Sequence, residues 1–316
     1  MARKVRPIAF ITLAVSLCST IYAKPVEILS RNVSNNLRGP EDQPGLIDTN
    51  TLGSLDKPTL SPRQDFPPPQ ILPPPQIVYR GDKRSPDEIR ATGGFLPSSD
   101  LAPTDENNGF SLYMHHTSAR INNKRVTSYV STTRYFGTGL AYANQASREG
   151  GWLYQIQALP HMVDSDGTLL QGRKYRNEYE FSALGGIRWD QVKAAVQVPG
   201  AKTSTDYKSG SKTWTFVTME DFNKTFPEKQ WVVNTEYNSS YDQFEASPGQ
   251  PQLAGWFQYD YDEDKYKSKE PWSQYQAQTV RQYFIDFMNQ VGGPVGWTGT
   301  YPLVLSEDKW MDRARL

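Results

Sequence analysis

The sequence predicts an α+β fold in which short β-strands are interrupted by helices and loops. Apolar and β-branched residues form short runs of about four to eight residues, bounded by glycine, proline and polar turn residues. Helix start and stop signals stand between several of these runs. The 316 residues are 37% hydrophobic and 12% aromatic, which is enough apolar material for one sizeable core. We therefore expect one main domain.

The first predicted elements are a short strand and a capped helix. Residues 77–80 form the strand, and Ser85 then provides an N-cap with Pro86 in the first turn. Glu88 stands three residues after the cap and completes a capping box. Gly93 and the glycine after it predict the end of this helix.

The later elements continue this alternation. Apolar residues at Trp152, Tyr154 and Ile156 alternate along one strand. Apolar residues between Val280 and Val291 recur at helical spacing, which predicts an amphipathic helix that docks on the domain and ends at the following glycines. The later strands are predicted over 128–133, 152–158, 178–181 and 192–198, and the later helices over 138–147 and 280–291.

The N-terminal residues have the pattern of a secretory signal peptide. Basic residues precede an apolar run from Ile8 to Ile21, and cleavage after Ala23 fits the pattern. The run is too short and too early for a membrane span, so we expect none. Residues 24–76 hold little apolar periodicity and end in proline triplets, which predicts a disordered pro-segment or linker. With residues 1–23 removed, the protein is expected to be secreted.

Cysteine usage and charge narrow the functional classes. Cys18 is the only cysteine and lies in the predicted signal peptide, so the mature chain is expected to form no disulfide. Loss of three basic residues with that peptide leaves 31 basic against 34 acidic residues, a net charge of −3. This balance lacks the basic footprint of a nucleic-acid-binding protein. With three histidines and no mature cysteine, we also expect no metal site.

A pair of glutamates marks the candidate site. Glu178 and Glu180 flank Tyr179 in the predicted strand 178–181. Because side chains alternate between the faces of a strand, we expect the two carboxylates on one face, with Tyr179 and Phe181 on the other. Their repulsion would be relieved by a developing sugar cation and an incoming guanidinium. By itself, a Glu-x-Glu sequence more often marks two exposed acids on a half-solvated strand.

Three segments in order give this pair its context. They are the run Val78-Tyr79-Arg80-Gly81-Asp82, the triplet Ser131-Thr132-Thr133 and the run Glu178-Tyr179-Glu180. Together they resemble the enzymatic A subunits of cholera toxin and Escherichia coli heat-labile enterotoxin, a family of mono-ADP-ribosyltransferases. The likeness extends to about Trp272.

The resemblance implies the ADP-ribosyltransferase fold, in which two small packed β-sheets form an NAD cleft and helices lie at the periphery. It implies a catalytic domain over residues 77–272, with a C-terminal helix and tail over 273–316 docked on it. NAD would be the substrate. Glu180 would grip the ribose 2′-hydroxyl and stabilise the sugar cation, and Glu178 would orient a target guanidinium.

The resemblance also implies a set of cofactor-binding residues. Arg80 would contact a cofactor phosphate through its planar fork of donors. Ser131 and Thr133, two apart on one strand, would hold the catalytic glutamate through their hydroxyls. The further cofactor-binding residues are Tyr79, Asp82, Thr132 and His115. We identify no counterpart of His116 in that family.

The implied reaction is transfer of ADP-ribose from NAD to an arginine of a host protein, inside a host cell. A G-protein α subunit is a candidate target by analogy, and the sequence does not name a delivery partner. One alternative is an NAD glycohydrolase, in which water is the acceptor. A second is a catalytically silent binding module with the same fold. DNA modification is a third, disfavoured by Glu178 and by the negative charge.

Overall fold

The computed structural model describes residues 72–170, 178–200, 217–255 and 267–303. The predicted signal peptide, with Cys18, lies outside these residues. Of the predicted linker 24–76, only the last five residues are included. Among the described residues, no helix is long and apolar enough to cross a membrane.

The described residues form eleven strands and six helices. The strands are β1 (Ile77–Asp82), β2 (Gly94–Phe95), β3 (Arg120–Ile121), β4 (Lys124–Arg125), β5 (Tyr129–Thr133), β6 (Gly150–Gln157), β7 (Met162–Asp164), β8 (Glu180–Leu184), β9 (Ile187–Arg188), β10 (Val192–Pro199) and β11 (Val232–Val233). The helices are α1 (Pro86–Ala91), α2 (Leu112–His116), α3 (Phe136–Gln145), α4 (Ser165–Leu169), α5 (Met219–Thr225) and α6 (Val280–Val291). Short 3-10 turns connect several of them.

Seven antiparallel strands pair in the order β11-β10-β6-β1-β5-β8-β7. Strands β1 and β6 pair over six positions and β5 and β8 over five. By contrast, β1 and β5 meet at the single pair Tyr79 and Thr133. The seven-stranded sheet therefore consists of two smaller sheets, β11-β10-β6-β1 and β5-β8-β7, that are joined at one shared position. This arrangement confirms the predicted α+β class with two small sheets.

The elements that local sequence signals predicted lie within a few residues of their predicted bounds. The capping box of α1 is present, since the Ser85 hydroxyl accepts from the Glu88 amide and the Glu88 carboxylate accepts from the Ser85 amide. Helix α6 has the predicted bounds. Helix α3 begins and ends two residues earlier than the predicted helix over 138–147.

The prediction of an extended strand over 178–181 is wrong at its start. Strand β8 begins at Glu180 and continues to Leu184. Tyr179 has a φ of +47°, a left-handed conformation that interrupts an extended chain. Its ring makes an edge-to-face contact with the ring of Tyr135 at a centroid distance of 4.7 Å, which holds the kink in place. Alternation of side chains along a strand therefore does not determine how the side chains of Glu178 and Glu180 are placed relative to each other.

Helix α6 packs into the same core as strand β5. Phe284 is fully buried and contacts the ring edges of Phe110 at 5.1 Å and Tyr129 at 5.7 Å between centroids. Burial of a side chain of this size contributes roughly 1.5–3 kcal/mol. The apolar stripe that defines the helix in the sequence is the face that stabilises β5.

His161, in the loop between β6 and β7, should make the free energy of unfolding depend on pH in the acidic range. It is fully buried, its Nε2 donates to the Gly186 carbonyl at 3.1 Å, and its Nδ1 has no hydrogen-bond partner among the described residues. Burial lowers the pKa of His161 to about 4. Since the unfolded side chain has a pKa of about 6.5, the unfolded chain binds more protons between these values. The free energy of unfolding should therefore fall as pH drops from about 6.5 to 4.

Replacing His161 with glutamine tests this dependence, because an amide can keep the donor to Gly186 without titrating in this range. The native chain should lose about 3 kcal/mol more than the variant between pH 7 and 4. Urea unfolding at a series of pH values measures the difference. Parallel stability curves for the two proteins would contradict the assignment.

Candidate active site

A cavity of about 490 Å³ opens where β1, β5 and β8 lie side by side. The ladder pairs Tyr79 with Thr133 and Thr133 with Glu180, so one residue of each strand lies abreast at the junction of the two sheets. The predicted site residues that line the cavity are Tyr79, Arg80, His115, Ser131, Thr132, Thr133, Glu178 and Glu180. The others are Gly81, His116, Ser118, Arg125, Gly139 and Tyr142. Among the predicted residues, Asp82 alone lies outside this lining.

Gly81 allows helix α3 to lie against strand β1 beside the cavity. A Cβ atom at this position would come within 2.2 Å of the Ala143 backbone nitrogen. No side chain fits there, so the sequence needs glycine directly after Arg80. The close approach brings Tyr142 of α3 to the cavity wall.

Glu180 is buried and receives three hydrogen bonds. Its Oε1 accepts from His115 Nε2 at 3.1 Å and from Ser182 Oγ at 2.9 Å, and its Oε2 accepts from His116 Nδ1 at 2.9 Å. The Ser182 hydroxyl donates its proton to the Glu180 carboxylate. Its oxygen therefore accepts from the Ser165 hydroxyl, which lies 2.9 Å away. The carboxylate is thus fixed from two sides, by helix α2 and by its own strand.

These contacts keep Glu180 ionised. Burial by itself would raise the pKa of its carboxyl, but the hydrogen bonds from His115 and His116 outweigh burial and hold that pKa well below its usual range. Burial lowers the pKa of His115, and the Glu180 contact opposes this only in part. The site therefore presents a carboxylate held by a neutral His115 near neutral pH.

The neighbours of His115 determine which ring nitrogen carries its proton. Nδ1 lies 2.8 Å from the Thr127 hydroxyl, which in turn accepts from the Tyr129 amide and so donates to the ring. Nε2 faces Glu180, which can only accept, and lies 2.9 Å from the Ser131 hydroxyl. The proton is therefore on Nε2.

The prediction that the hydroxyls of Ser131 and Thr133 hold Glu180 is wrong. Thr133 stands directly opposite Glu180 in the ladder, but its hydroxyl donates to the Glu178 carbonyl at 2.7 Å. Ser131 lies two residues along β5, where its hydroxyl reaches the His115 ring instead. The two hydroxyls therefore support Glu180 only indirectly. Thr133 holds the kink that precedes Glu180, and Ser131 contacts the His115 imidazole.

Glu178 reaches the same cavity from the kink. Its carboxylate accepts a hydrogen bond from the Tyr142 hydroxyl, and its carbonyl accepts from Thr133. Burial, together with the nearby Glu180 charge, raises the pKa of Glu178 despite the Tyr142 hydrogen bond. The two carboxylates thus differ: one is held as an anion, and the other takes up a proton more readily.

Arg80 lies on the cavity wall but is already engaged. It donates to the Ser131 carbonyl at 2.7 Å and to Asp82 at 3.2 Å, and its guanidinium lies 5.3 Å from the centre of the Phe95 ring. Asp82 also accepts from Arg84. Burial would raise the pKa of Asp82, but the hydrogen bonds from Arg84 and the charge of Arg80 hold it at about 2. The Asp82 carboxylate thus orients Arg80, and a contact of Asp82 with the cofactor stays a prediction.

Six lining residues lie outside the predicted site set, and His116 and Arg125 are two of them. His116 follows a histidine on α2, and its sequence context contains nothing that shows which of the two imidazoles turns inward. Both imidazoles line the cavity, and both lie at the end of the five-residue helix α2, which Ser111 caps. Arg125 comes from the hairpin of β3 and β4, for which no strand signal was identified in the sequence.

The family model for the heat-labile enterotoxin alpha chain matches residues 73–290, more than half of the chain. The chain belongs to this family. A stretch of 123 residues is 32% identical to heat-labile enterotoxin IIB, A chain, from Escherichia coli, and covers 36% of this chain and 45% of that one. Another match is 34% identical to the NAD(+)--arginine ADP-ribosyltransferase Chelt of Vibrio cholerae, over 36% of this chain and 20% of that one.

This enterotoxin A-type chain spans about half or less of the length of the relatives it matches. A solved structure of a heat-labile enterotoxin double mutant is 20% identical, with a TM-score of 0.49, and covers 74% of this chain and 99% of that one. Within the part of the enterotoxin A-type chain that the structure describes, no cluster of three or more His, Cys, Asp or Glu side chains is arranged to hold a metal ion.

Proposed function

We propose that this chain is a mono-ADP-ribosyltransferase that transfers ADP-ribose from NAD to an arginine of a host protein and releases nicotinamide. The observation that carries this proposal is the state of Glu180, a buried carboxylate kept ionised by two imidazoles at the floor of a cleft. Such a group is suited to stabilising a positive charge that develops in the cleft. A second carboxylate, Glu178, lies in the same cavity with the opposite protonation tendency.

In the proposed reaction, the bond between the ribose C1′ and the nicotinamide nitrogen breaks. Both electrons pass to the ring nitrogen, so neutral nicotinamide leaves and the sugar becomes an oxocarbenium-like cation. Glu180 stabilises this cation and accepts a hydrogen bond from the ribose 2′-hydroxyl. A nitrogen of the target guanidinium then bonds to C1′ and loses a proton, which Glu178 accepts.

The raised pKa of Glu178 suits this second role. A base accepts a proton from a guanidinium more readily when its own conjugate acid is weaker. The Tyr142 hydroxyl fixes one carboxylate oxygen, and the other oxygen can accept from the incoming guanidinium. A glutamate in this place therefore supports arginine as the acceptor, in agreement with the activity that names the Vibrio cholerae relative.

The remaining predicted residues have supporting roles in this proposal. Arg80 presents its guanidinium edge to the cofactor while Asp82 orients it. Tyr79 forms part of the wall and packs against Phe136 at 5.4 Å between ring centroids. Thr132 donates to the Phe181 carbonyl at 2.6 Å, which fastens β5 to β8 beside the catalytic carboxylate.

Incubation of the full chain with labelled NAD and the arginine analogue agmatine tests the proposal. Adduct should form together with free nicotinamide, and its yield should exceed that of free ADP-ribose when agmatine is in excess. Free ADP-ribose as the sole product would show a glycohydrolase. Binding of NAD without nicotinamide release would leave the silent binding module, and no binding at all would reject every NAD-based function.

Secretion and the host target are part of the same proposal. Relatives in this family are named as enterotoxin chains, which supports a toxin that leaves the producing cell and acts on a host protein. A predicted signal peptide over residues 1–23 would direct export. Mass spectrometry of cells that express the mature chain should find ADP-ribose linked to arginine. The modified peptides would identify the target and test the G-protein α candidate.

Replacing His116 with alanine should slow NAD cleavage by about 10- to 100-fold, because a hydrogen bond to a charged group contributes roughly 1.5–3 kcal/mol. Loss of one donor should also raise the pKa of Glu180, so that the acid limb of the rate profile moves to higher pH. Nicotinamide release measured from pH 4 to 9 reports both effects.

The matched variant is His116→Asn, whose side-chain amide places a donor near the position of Nδ1. It should retain most of the activity and the native position of the acid limb. If the alanine variant keeps the native pH profile while losing rate, His116 acts through folding alone and the assignment fails.

A further inference from the structure

Tyr142 is a large aromatic side chain that remains exposed beside the Glu178 carboxylate. It lies on α3 and lines the cavity, and 47% of its surface is accessible to solvent. Its hydroxyl donates to the carboxylate of Glu178. A single exposed aromatic ring is common on protein surfaces, but this ring is tied to an acid of the candidate active site. The contact makes Tyr142 a candidate for ligand binding.

The fold fixes the place of this ring at the cavity. Leu140 and Ala143, on either side of Tyr142 in the helix, are buried in the apolar core. Gly139 allows the helix to lie close to β1, because a Cβ atom at this position would come within 2.8 Å of the Tyr79 Cβ. The backbone at Tyr142 is therefore held by packing, and only its side chain extends toward the solvent.

The Glu178 carboxylate has room for a cationic ligand. Within the described residues, no arginine or lysine forms an ion pair with it. A guanidinium carries five N–H donors in one plane and can donate to a carboxylate through its edge. Its flat face remains able to stack on an aromatic ring at the same time. A carboxylate with a tyrosine bound to it thus offers both contacts to an arginine side chain.

This chain already contains the arrangement at a second place. The Tyr237 hydroxyl donates to the Asp242 carboxylate at 2.6 Å. The Lys193 ammonium forms an ion pair with Asp242 and lies 4.5 Å from the centre of the Tyr237 ring. An acid and a tyrosine together hold a cation there. Glu178 and Tyr142 supply the acid and the tyrosine, and an arginine acceptor would supply the cation.

We propose that Tyr142 binds the acceptor, with the face of its ring stacked on the target guanidinium while its hydroxyl orients Glu178. This inference rests on the proposed function, from which it takes arginine as the acceptor and Glu178 as the base. It makes α3 a wall of the acceptor site, opposite in role to the residues that hold Glu180. Tyr142 has no part in the release of nicotinamide.

The kinetics of transfer to agmatine in two Tyr142 variants test the proposal. Tyr142→Phe keeps the ring and loses the donor, so the KM for agmatine should stay within about threefold while the kcat of transfer falls by about 10-fold. Tyr142→Leu keeps apolar bulk and loses the ring, so this KM should rise by about 3- to 30-fold, the range of a cation–π contact. Hydrolysis of NAD without agmatine should stay within about twofold in both.

Tyr237 provides the matched control, because it also donates to a carboxylate but does not belong to the cavity lining. Tyr237→Phe and Tyr237→Leu should leave the KM for agmatine within about twofold of the native value. An unchanged KM in Tyr142→Leu, or an equal rise in Tyr237→Leu, would overturn the proposal while the transferase assignment stands.

Calorimetric titration of the full chain with agmatine, with and without ADP-ribose, separates this inference from the proposed function. Agmatine should bind the native chain, and Tyr142→Leu should bind it more weakly by about the same 3- to 30-fold factor. If this holds and NAD yields no adduct, only the transferase assignment fails. If the native chain neither binds agmatine nor forms an adduct, both are rejected.

Discussion

Replacement of Glu180 with glutamine is expected to remove both NAD hydrolysis and ADP-ribosyl transfer, with kcat lower by about 10³-fold, or ~4 kcal/mol of transition-state stabilisation. The amide has nearly the same shape but no charge, so it cannot stabilise the sugar cation. Its NH2 group would also face at least one of the donors that now meet the carboxylate from His115, His116 and Ser182. Nicotinamide release followed by chromatography measures the loss.

Two measurements separate a chemical effect from damage to the fold. The melting temperature reports the packing around the substituted side chain, and calorimetric titration with ADP-ribose reports whether the cleft still binds. ADP-ribose affinity should change by less than about threefold, because this carboxylate acts mainly in the transition state. A glutamine variant with a rate within tenfold of the native rate would contradict the central role of Glu180.

Replacement of Glu178 with alanine or glutamine is expected to separate the two activities. Transfer to agmatine should fall by about 10²- to 10³-fold, the usual range for loss of a general base and an oriented acceptor. Hydrolysis of NAD should persist within about fivefold, because Glu180 alone stabilises the cation. The ratio of adduct to free ADP-ribose, measured in one reaction, gives the separation directly.

The pH dependence of transfer should carry the signature of Glu178. Burial and the charge of Glu180 raise its pKa, so the rate of transfer should decline on acidification at a pH above the usual range of glutamate. That acid limb should be absent from the residual transfer of Glu178→Gln and from hydrolysis in the native chain. Glu220→Gln, on exposed α5, is the control. Equal loss of both activities in the Glu178 variants would contradict the division of roles.

Sequence patterns predicted the elements whose causes are local. The Ser85 to Glu88 capping box depends on four consecutive residues, and α6 depends on apolar residues spaced along one turn after another. Each of these signals is contained within the element that it specifies. The structure therefore reproduced both.

The predicted relation between Glu178 and Glu180 shows the limit of such patterns. Both residues line the cavity as expected, but the assumed strand is broken at Tyr179, whose left-handed backbone is held by packing on Tyr135 of another segment. Side-chain alternation was the wrong reason for a correct grouping. The conformation of a single residue can be decided by a contact that no local pattern contains.

The fold class, the bounds of the elements that carry local signals, and the grouping of Arg80, Ser131, Glu178 and Glu180 could be predicted from the sequence, because they follow from local spacing and from resemblance. What holds Glu180 as an anion could be read only from the folded chain. A pKa is set by burial and by neighbours distant in the chain. The partnership of Glu180 with His115 and His116 crosses about 65 positions, and folding alone brings the three together.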